Sequence, residues 1–131
     1  MAESEQTSDN MQANARRVIS FVLPVYNEEG NLPALYEKIT AAVTGLSDDY
    51  ELLFVDDGST DGSLQTLKTL QADDKRISII QLRRNFGKAA AYNAGFEHTN
   101  GDIVITMDTD LQDDPDEIPL FIEQIDRGFD M

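Results

Sequence analysis

Carboxylates crowd one short stretch of this chain, Met107-Asp-Thr-Asp-Leu-Gln-Asp-Asp-Pro115, where Asp108, Asp110, Asp113 and Asp114 lie almost side by side. Charges of one sign at that density disfavour each other's ionised form unless a cation joins them. Hard cations such as Mg²⁺ or Mn²⁺ accept oxygen ligands from one or two carboxylates plus substrate phosphates. Asp108 and Asp110 flank Thr109, and residues two apart in extended backbone can point to one side. Both carboxylates can therefore face one ion, and Gln112 continues that side with a neutral carbonyl oxygen. The spacing predicts a divalent-metal site holding a phosphorylated ligand. The competing reading is an acidic, solvated loop in which Asp113 and Asp114 cap a helix.

Three other polar stretches carry usable chemistry. In Pro24-Val-Tyr-Asn-Glu28, Tyr26 could stack on a base and Glu28 could accept from a base N–H. The alternative there is a buried turn tyrosine beside solvated glutamates. In Asp56-Asp57-Gly58-Ser59 one carboxylate could accept from a base or ribose, or could simply close an Asx-turn. Gly87-Lys88 opens an expected helix just after Arg83 and Arg84. Free N–H groups and the dipole at a helix start attract phosphate, and Lys88 adds a full charge. Plain counter-charge to the aspartates is the other reading. His98, the only histidine, sits at a helix C-terminus, where it suits the dipole and reads as structural.

The elements that must position these groups follow from periodicity. Val18 to Val25 is nearly continuous in apolar residues, as in a strand covered on both faces. Asn31 can cap a helix whose apolar positions are Leu32, Leu35, Ile39, Ala42, Val43 and Leu46. Glu51 to Val55 reads as a second strand, followed by a helix with Leu64, Leu67 and Leu70 on one face. Ile77 to Leu82 is a third strand, Ala89 to His98 a helix, and Ile103 to Met107 a fourth strand. Asp114-Pro-Asp-Glu117 resembles a capping box, although Pro119 suggests that the last helix begins near it after one tight turn.

The order is βαβαβαβα. This predicts an α/β fold, a parallel Rossmann-like sheet with helices on both faces and right-handed crossovers. Ligands of such sheets bind at the carboxyl ends of the strands. All four polar stretches fall there.

Bulk composition bounds the partners. The chain has 131 residues with a formal net charge of -15, from 25 acidic and 10 basic residues. That balance argues against a nucleic-acid backbone or an anionic membrane surface as direct partner. With no cysteine there are neither disulfides nor thiolate metal sites. No apolar run approaches a membrane span and no signal-peptide core is present, so a cytoplasmic location is expected. Residues 1–17 read as a disordered acidic tail and 18–131 as one domain.

With these residues in place, the sequence resembles family 2 glycosyltransferases of the GT-A fold. It is most similar to the polyprenyl-phosphate branch, which includes dolichyl-phosphate mannose synthases. The matching motifs are Leu23 to Leu32, Val55 to Asp61, Arg84 to Lys88, and Met107 to Pro115. The resemblance implies that Pro24, Tyr26, Glu28, Val55 and Asp57 line the base and ribose of a nucleotide-diphosphate sugar, with Asp57 preferred over Asp56. Met107, Asp108 and Thr109 would complete the nucleotide contacts, and Lys88 would reach a phosphate. Asp108, Asp110 and Gln112 would hold Mg²⁺ or Mn²⁺, with Asp108 and Asp110 as the catalytic carboxylates. A sugar would pass, with inversion, to a lipid phosphate.

Family enzymes run well past the equivalent of Met131. The resemblance therefore implies a donor-binding half, truncated before the acceptor-binding half and inactive by itself. The full-length protein would sit at the cytoplasmic face of a membrane. The sheet edge left open predicts association and leaves room for a homo-oligomer. Two alternatives stand. One is a phosphatase of the haloacid-dehalogenase type with Asp108 as nucleophile, although Gln112 and the late position of the motif fit it poorly. The other is a non-catalytic nucleotide-binding module.

Overall fold

The computed structural model describes residues 17–46, 48–108 and 115–127. Its strands are β1 (Val18–Val25), β2 (Asp49–Asp56), β3 (Ile77–Gln81) and β4 (Ile103–Thr106). Its helices are α1 (Leu32–Thr44), α2 (Ser63–Asp73), α3 (Lys88–Phe96) and α4 (Ile118–Asp126), the last preceded by a 3₁₀ turn at Pro115–Glu117. The order anticipated from periodicity is the order observed. The described strands form one parallel four-stranded sheet with spatial order β3-β2-β1-β4.

That order fixes where the helices go. From β1 the chain steps outward twice, to β2 and then β3, so right-handed crossovers put α1 and α2 on one face. From β3 it returns past β1 to β4, so α3 crosses the other face. The side-chain period of two divides β1 accordingly. Ile19, Phe21, Leu23 and Val25 join Leu35, Ile39, Leu67, Ile118 and Ile122 in the main core under α1, α2 and α4. Val22, with Val55, meets Ala91 of α3 on the opposite face. Fully buried side chains of this size each contribute about 1.5–3 kcal/mol relative to exposure.

α3 lies unusually close to the sheet. A Cβ at Gly95 would stand 2.4 Å from Val22 Cγ1. Small residues at 91 and 95, on the inward side of the helix, permit that approach.

Of three local expectations, two need correction. Asn31 is the residue before α1, but no side-chain capping bond forms; its Nδ2 donates instead to Glu28 Oε1 at 2.8 Å. The last helix starts at Ile118 after the 3₁₀ turn, as Pro119 suggested; the proline lies in its first turn, where a missing N–H has no cost. Arg17, assigned above to the tail, belongs to the folded unit. Its carbonyl accepts from Asp49 N at 2.8 Å, and its guanidinium pairs with Asp48 at 3.1 Å and Asp126 at 2.6 Å. These contacts, Asp126 foremost, raise the Arg17 pKa further. The rest of the expected tail lies outside the described residues.

Candidate functional site

The carboxyl ends of β1 and β2, the start of α3 and the residues after β4 enclose a cleft of about 260 Å³. Its lining is Pro24, Val25, Tyr26, Glu28, Asp57, Asn85, Gly87, Lys88 and Asp108. β1 and β4 are neighbours although β2 and β3 intervene in sequence, so the cleft sits where the strand order reverses. Open α/β sheets bind ligands at such a point.

The first two loops are zipped together. Asn27 has φ 54, a left-handed conformation that Asn tolerates better than most residues. This turns its side chain toward the second loop, where Oδ1 accepts from Thr60 N at 2.8 Å and Asp61 N at 3.3 Å. Glu28 N donates to the buried Ser63 hydroxyl at 2.9 Å, which in turn donates to Asp61 Oδ1 at 2.6 Å. The Ser63 hydroxyl thereby holds the Asp61 carboxyl below its ordinary pKa. Tyr26 is left 46% exposed at the cleft, open to a stacking partner.

Asp57 joins the second loop to the third. Its side chain is nearly buried, and it accepts from Phe86 N at 2.8 Å, Gly87 N at 3.0 Å and Asn85 Nδ2 at 3.1 Å. Gly58 makes the approach possible. It has φ +75, and a Cβ there would fall 2.4 Å from the backbone of Arg84 and Asn85. Asp56 is also buried, but it closes the turn on Ser59 N at 3.3 Å and does not line the cleft. The two adjacent aspartates thus divide into a turn former and a cleft residue.

Asp108 follows β4, whose register against β1 runs from Ile19↔Ile103 to Val22↔Thr106. Lys88 Nζ lies 3.1 Å from Asp108 Oδ1, and Tyr92 Oη donates to the same oxygen at 2.9 Å. α3 therefore directs its first turns at this carboxylate. Its opening N–H groups, beginning at Lys88, face the same end of the sheet.

Pro24, Tyr26, Glu28, Asp57, Lys88 and Asp108 are thus brought together. Val55 and Met107 are not among the lining residues. Val55 packs against the α3 face and Met107 is in the main core, because the pleat turns both inward. Thr109, Asp110 and Gln112 lie outside the described residues. His98 is at the far end of α3, where Nδ1 donates to the Ala94 carbonyl at 2.9 Å. Asn85 and Tyr92 were not singled out from sequence. Asn85 lay inside a noted motif, whereas Tyr92 stands one helical turn beyond Lys88, a spacing that places both on one face.

Residues 20–131 match the family model for glycosyl transferase family 2. Among curated relatives, the undecaprenyl-phosphate 4-deoxy-4-formamido-L-arabinose transferase of Aeromonas hydrophila is 46% identical over 116 residues, covering 88% of this chain and 36% of the relative. The enzyme of that name from Salmonella paratyphi A is 46% identical over 114 residues, 86% of this chain and 35% of the relative. The chain spans about a third of the length of these relatives.

Among solved structures, the mannosyltransferase PcManGT of Pyrobaculum calidifontis, in complex with GDP-Man and Mn²⁺, has a TM-score of 0.65 at 25% identity, over 74% of this chain and 28% of that one. Glucosyl-3-phosphoglycerate synthase of Mycobacterium tuberculosis, with Mn²⁺, UDP and phosphoglyceric acid, has a TM-score of 0.62 at 29% identity, over 83% of this chain and 39% of that one. S. aureus TarS, at 24% identity and a TM-score of 0.70 over 83% of this chain and 32% of its own, supports the fold. The phosphatase alternative gains nothing from these likenesses. The strand-end cleft, the loops that build it and the match over most of its length agree: this chain belongs to glycosyl transferase family 2.

Proposed function

We propose that this chain is the donor-binding part of an inverting glycosyltransferase. It takes a sugar from a nucleotide-diphosphate sugar and delivers it to a polyprenyl phosphate held by further sequence. The carrying observation is that Pro24, Tyr26, Glu28, Asp57, Lys88 and Asp108, from four separate motifs, line one cleft at the sheet's switch point. The lipid acceptor is suggested by the names of the relatives, both undecaprenyl-phosphate transferases.

Within the cleft, Tyr26 offers an exposed ring to the base. Glu28 offers an acceptor. Asp57 uses three bonds to hold the 85–87 loop, and an ionised carboxylate accommodates about four donors, leaving capacity for one ligand N–H or O–H. The start of α3 and Lys88 supply donors for the diphosphate.

The donor chemistry fits a hard divalent cation. Asp108 presents a carboxylate oxygen at the cleft. No group of three His, Cys, Asp or Glu able to hold an ion exists among the described residues. One carboxylate pair with phosphate oxygens is the usual Mg²⁺ arrangement, and Asp108 with Asp110 and Gln112 would provide the protein's share. Charge on the departing diphosphate would be neutralised by such an ion. In the transfer, an acceptor phosphate oxygen bonds to the anomeric carbon as the bond to the diphosphate oxygen breaks. The electron pair leaves with the nucleoside diphosphate.

No described helix is long and apolar enough to cross a membrane. A lipid-phosphate acceptor would nonetheless bring the whole protein to a membrane's cytoplasmic face. Calorimetric titration with UDP-, GDP- and TDP-sugars, with and without Mn²⁺, tests the reading. One nucleotide class should bind, more tightly with Mn²⁺, and Asp108→Asn should abolish the Mn²⁺ increment. Absence of binding to all three refutes it. The isolated chain should show no transfer of labelled sugar to a polyprenyl phosphate.

A further inference from the structure

Lys88, Tyr92 and Phe96 are spaced by four along α3 and therefore form one stripe. The stripe ends on Asp108. Lys88 Nζ at 3.1 Å and Tyr92 Oη at 2.9 Å meet the same oxygen, Oδ1. Behind them, the Tyr92 and Phe96 rings stack with centroids 6.1 Å apart and planes at 14°. Tyr92 is also partly buried against the cluster of Val22, Val55 and Ala91. Its ring is thus held from two directions, and its hydroxyl has a fixed place.

The two donors differ in kind. Lys88 carries a full charge, is 57% exposed at its side chain, and competes directly with any cation that approaches Asp108. Tyr92 is neutral. It satisfies part of the carboxylate without opposing a second positive charge, and its stacked ring does not need to move when an ion arrives.

We propose that Tyr92 is a positioning residue for Asp108, orienting the carboxylate for a divalent cation while Lys88 exchanges from Asp108 to the donor diphosphate. The inference rests on the metal-dependent reading above and adds to it a residue outside the four motifs. Donors in the outer shell of a metal ligand commonly change affinity 10–100-fold when removed.

Tyr92→Phe keeps the ring and the stack and deletes only the hydroxyl. The test measures Mn²⁺ affinity of the whole chain by the electron paramagnetic resonance of unbound Mn²⁺, and nucleoside diphosphate affinity without metal by calorimetry. Tyr92→Phe should weaken Mn²⁺ binding roughly tenfold and leave metal-free nucleotide binding unchanged, with the melting temperature lowered by no more than the loss of one hydrogen bond to a carboxylate implies. Phe96→Leu, which loosens the stack and retains the hydroxyl, should give a smaller loss in the same direction. Equal Mn²⁺ affinity in wild type and Tyr92→Phe overturns the role of Tyr92 alone. A parallel loss of metal-free nucleotide binding also overturns it, since that marks a structural defect. A wild-type chain indifferent to Mn²⁺ overturns both this inference and the metal-dependent reading.

Discussion

Removing the Asp57 carboxylate should detach the third loop from the second. In Asp57→Ala, Phe86 N, Gly87 N and Asn85 Nδ2 all lose their acceptor, at native distances of 2.8, 3.0 and 3.1 Å. Hydrogen bonds to a charged group contribute about 1.5–3 kcal/mol each. Water can enter at the exposed Phe86 side and recover part of this, so the net loss should be about 2–4 kcal/mol. Total stability for a domain is about 5–15 kcal/mol, so the variant should still fold. Asp57→Asn retains one acceptor oxygen and points an NH₂ group at the remaining donors. Backbone hydrogen exchange separates the cases. Asp57→Ala should lose protection at both the Phe86 and Gly87 amides, and Asp57→Asn at one of the two. Urea unfolding supplies the energy. If Asp57→Ala left both amides protected and cost under about 0.5 kcal/mol, the size of an ordinary surface substitution, the claim that this carboxylate builds the cleft wall would be wrong.

Gly58→Ala adds a Cβ that meets the Arg84–Asn85 backbone at 2.4 Å in a residue with φ +75, so it should destabilise by roughly 2–4 kcal/mol in denaturant titrations and weaken nucleotide binding. Lys88→Met breaks a mostly exposed ion pair, so the melting curve should shift by less than about 1 kcal/mol equivalent. Its affinity for a nucleoside diphosphate should nonetheless drop, while affinity for the matching nucleoside stays constant; equal losses for both would remove Lys88 from the phosphate site. Tyr36 donates to Asp74 at 2.6 Å, and that bond pushes its pKa up to about 12 from 10.0. The folded state therefore holds the phenolic proton more tightly than the unfolded chain. This stabilisation is complete below pH 10 and is lost as pH rises toward about 12. Tyr36→Phe should flatten that part of the stability–pH curve, measured by urea titration across the window.

Local pattern sufficed for much of this architecture. The apolar run of β1, the helical spacing of Leu32, Leu35 and Ile39, and the polar residues after each strand are readable one segment at a time. Alternation of strand and helix then implies a parallel sheet, because only crossovers can join parallel strands. The location of Asp57, Lys88 and Asp108 at one rim followed from these rules without coordinates. What periodicity does not carry is which strand lies beside which. The order β3-β2-β1-β4 decided that Asp108 faces Tyr26 and that Asp57 holds residues 85–87. The only signal Tyr92 gave in the chain was its four-residue spacing from Lys88, and a tyrosine on a helix reads equally as packing; only the return of α3 across the sheet brings its hydroxyl to Asp108. Val55 and Met107 are absent from the cleft lining for a related reason: adjacency to a motif says nothing about which way a side chain turns. Segment identity is set by short-range sterics and solvent contrast, whereas partnership across tens of residues is set by packing of the whole sheet.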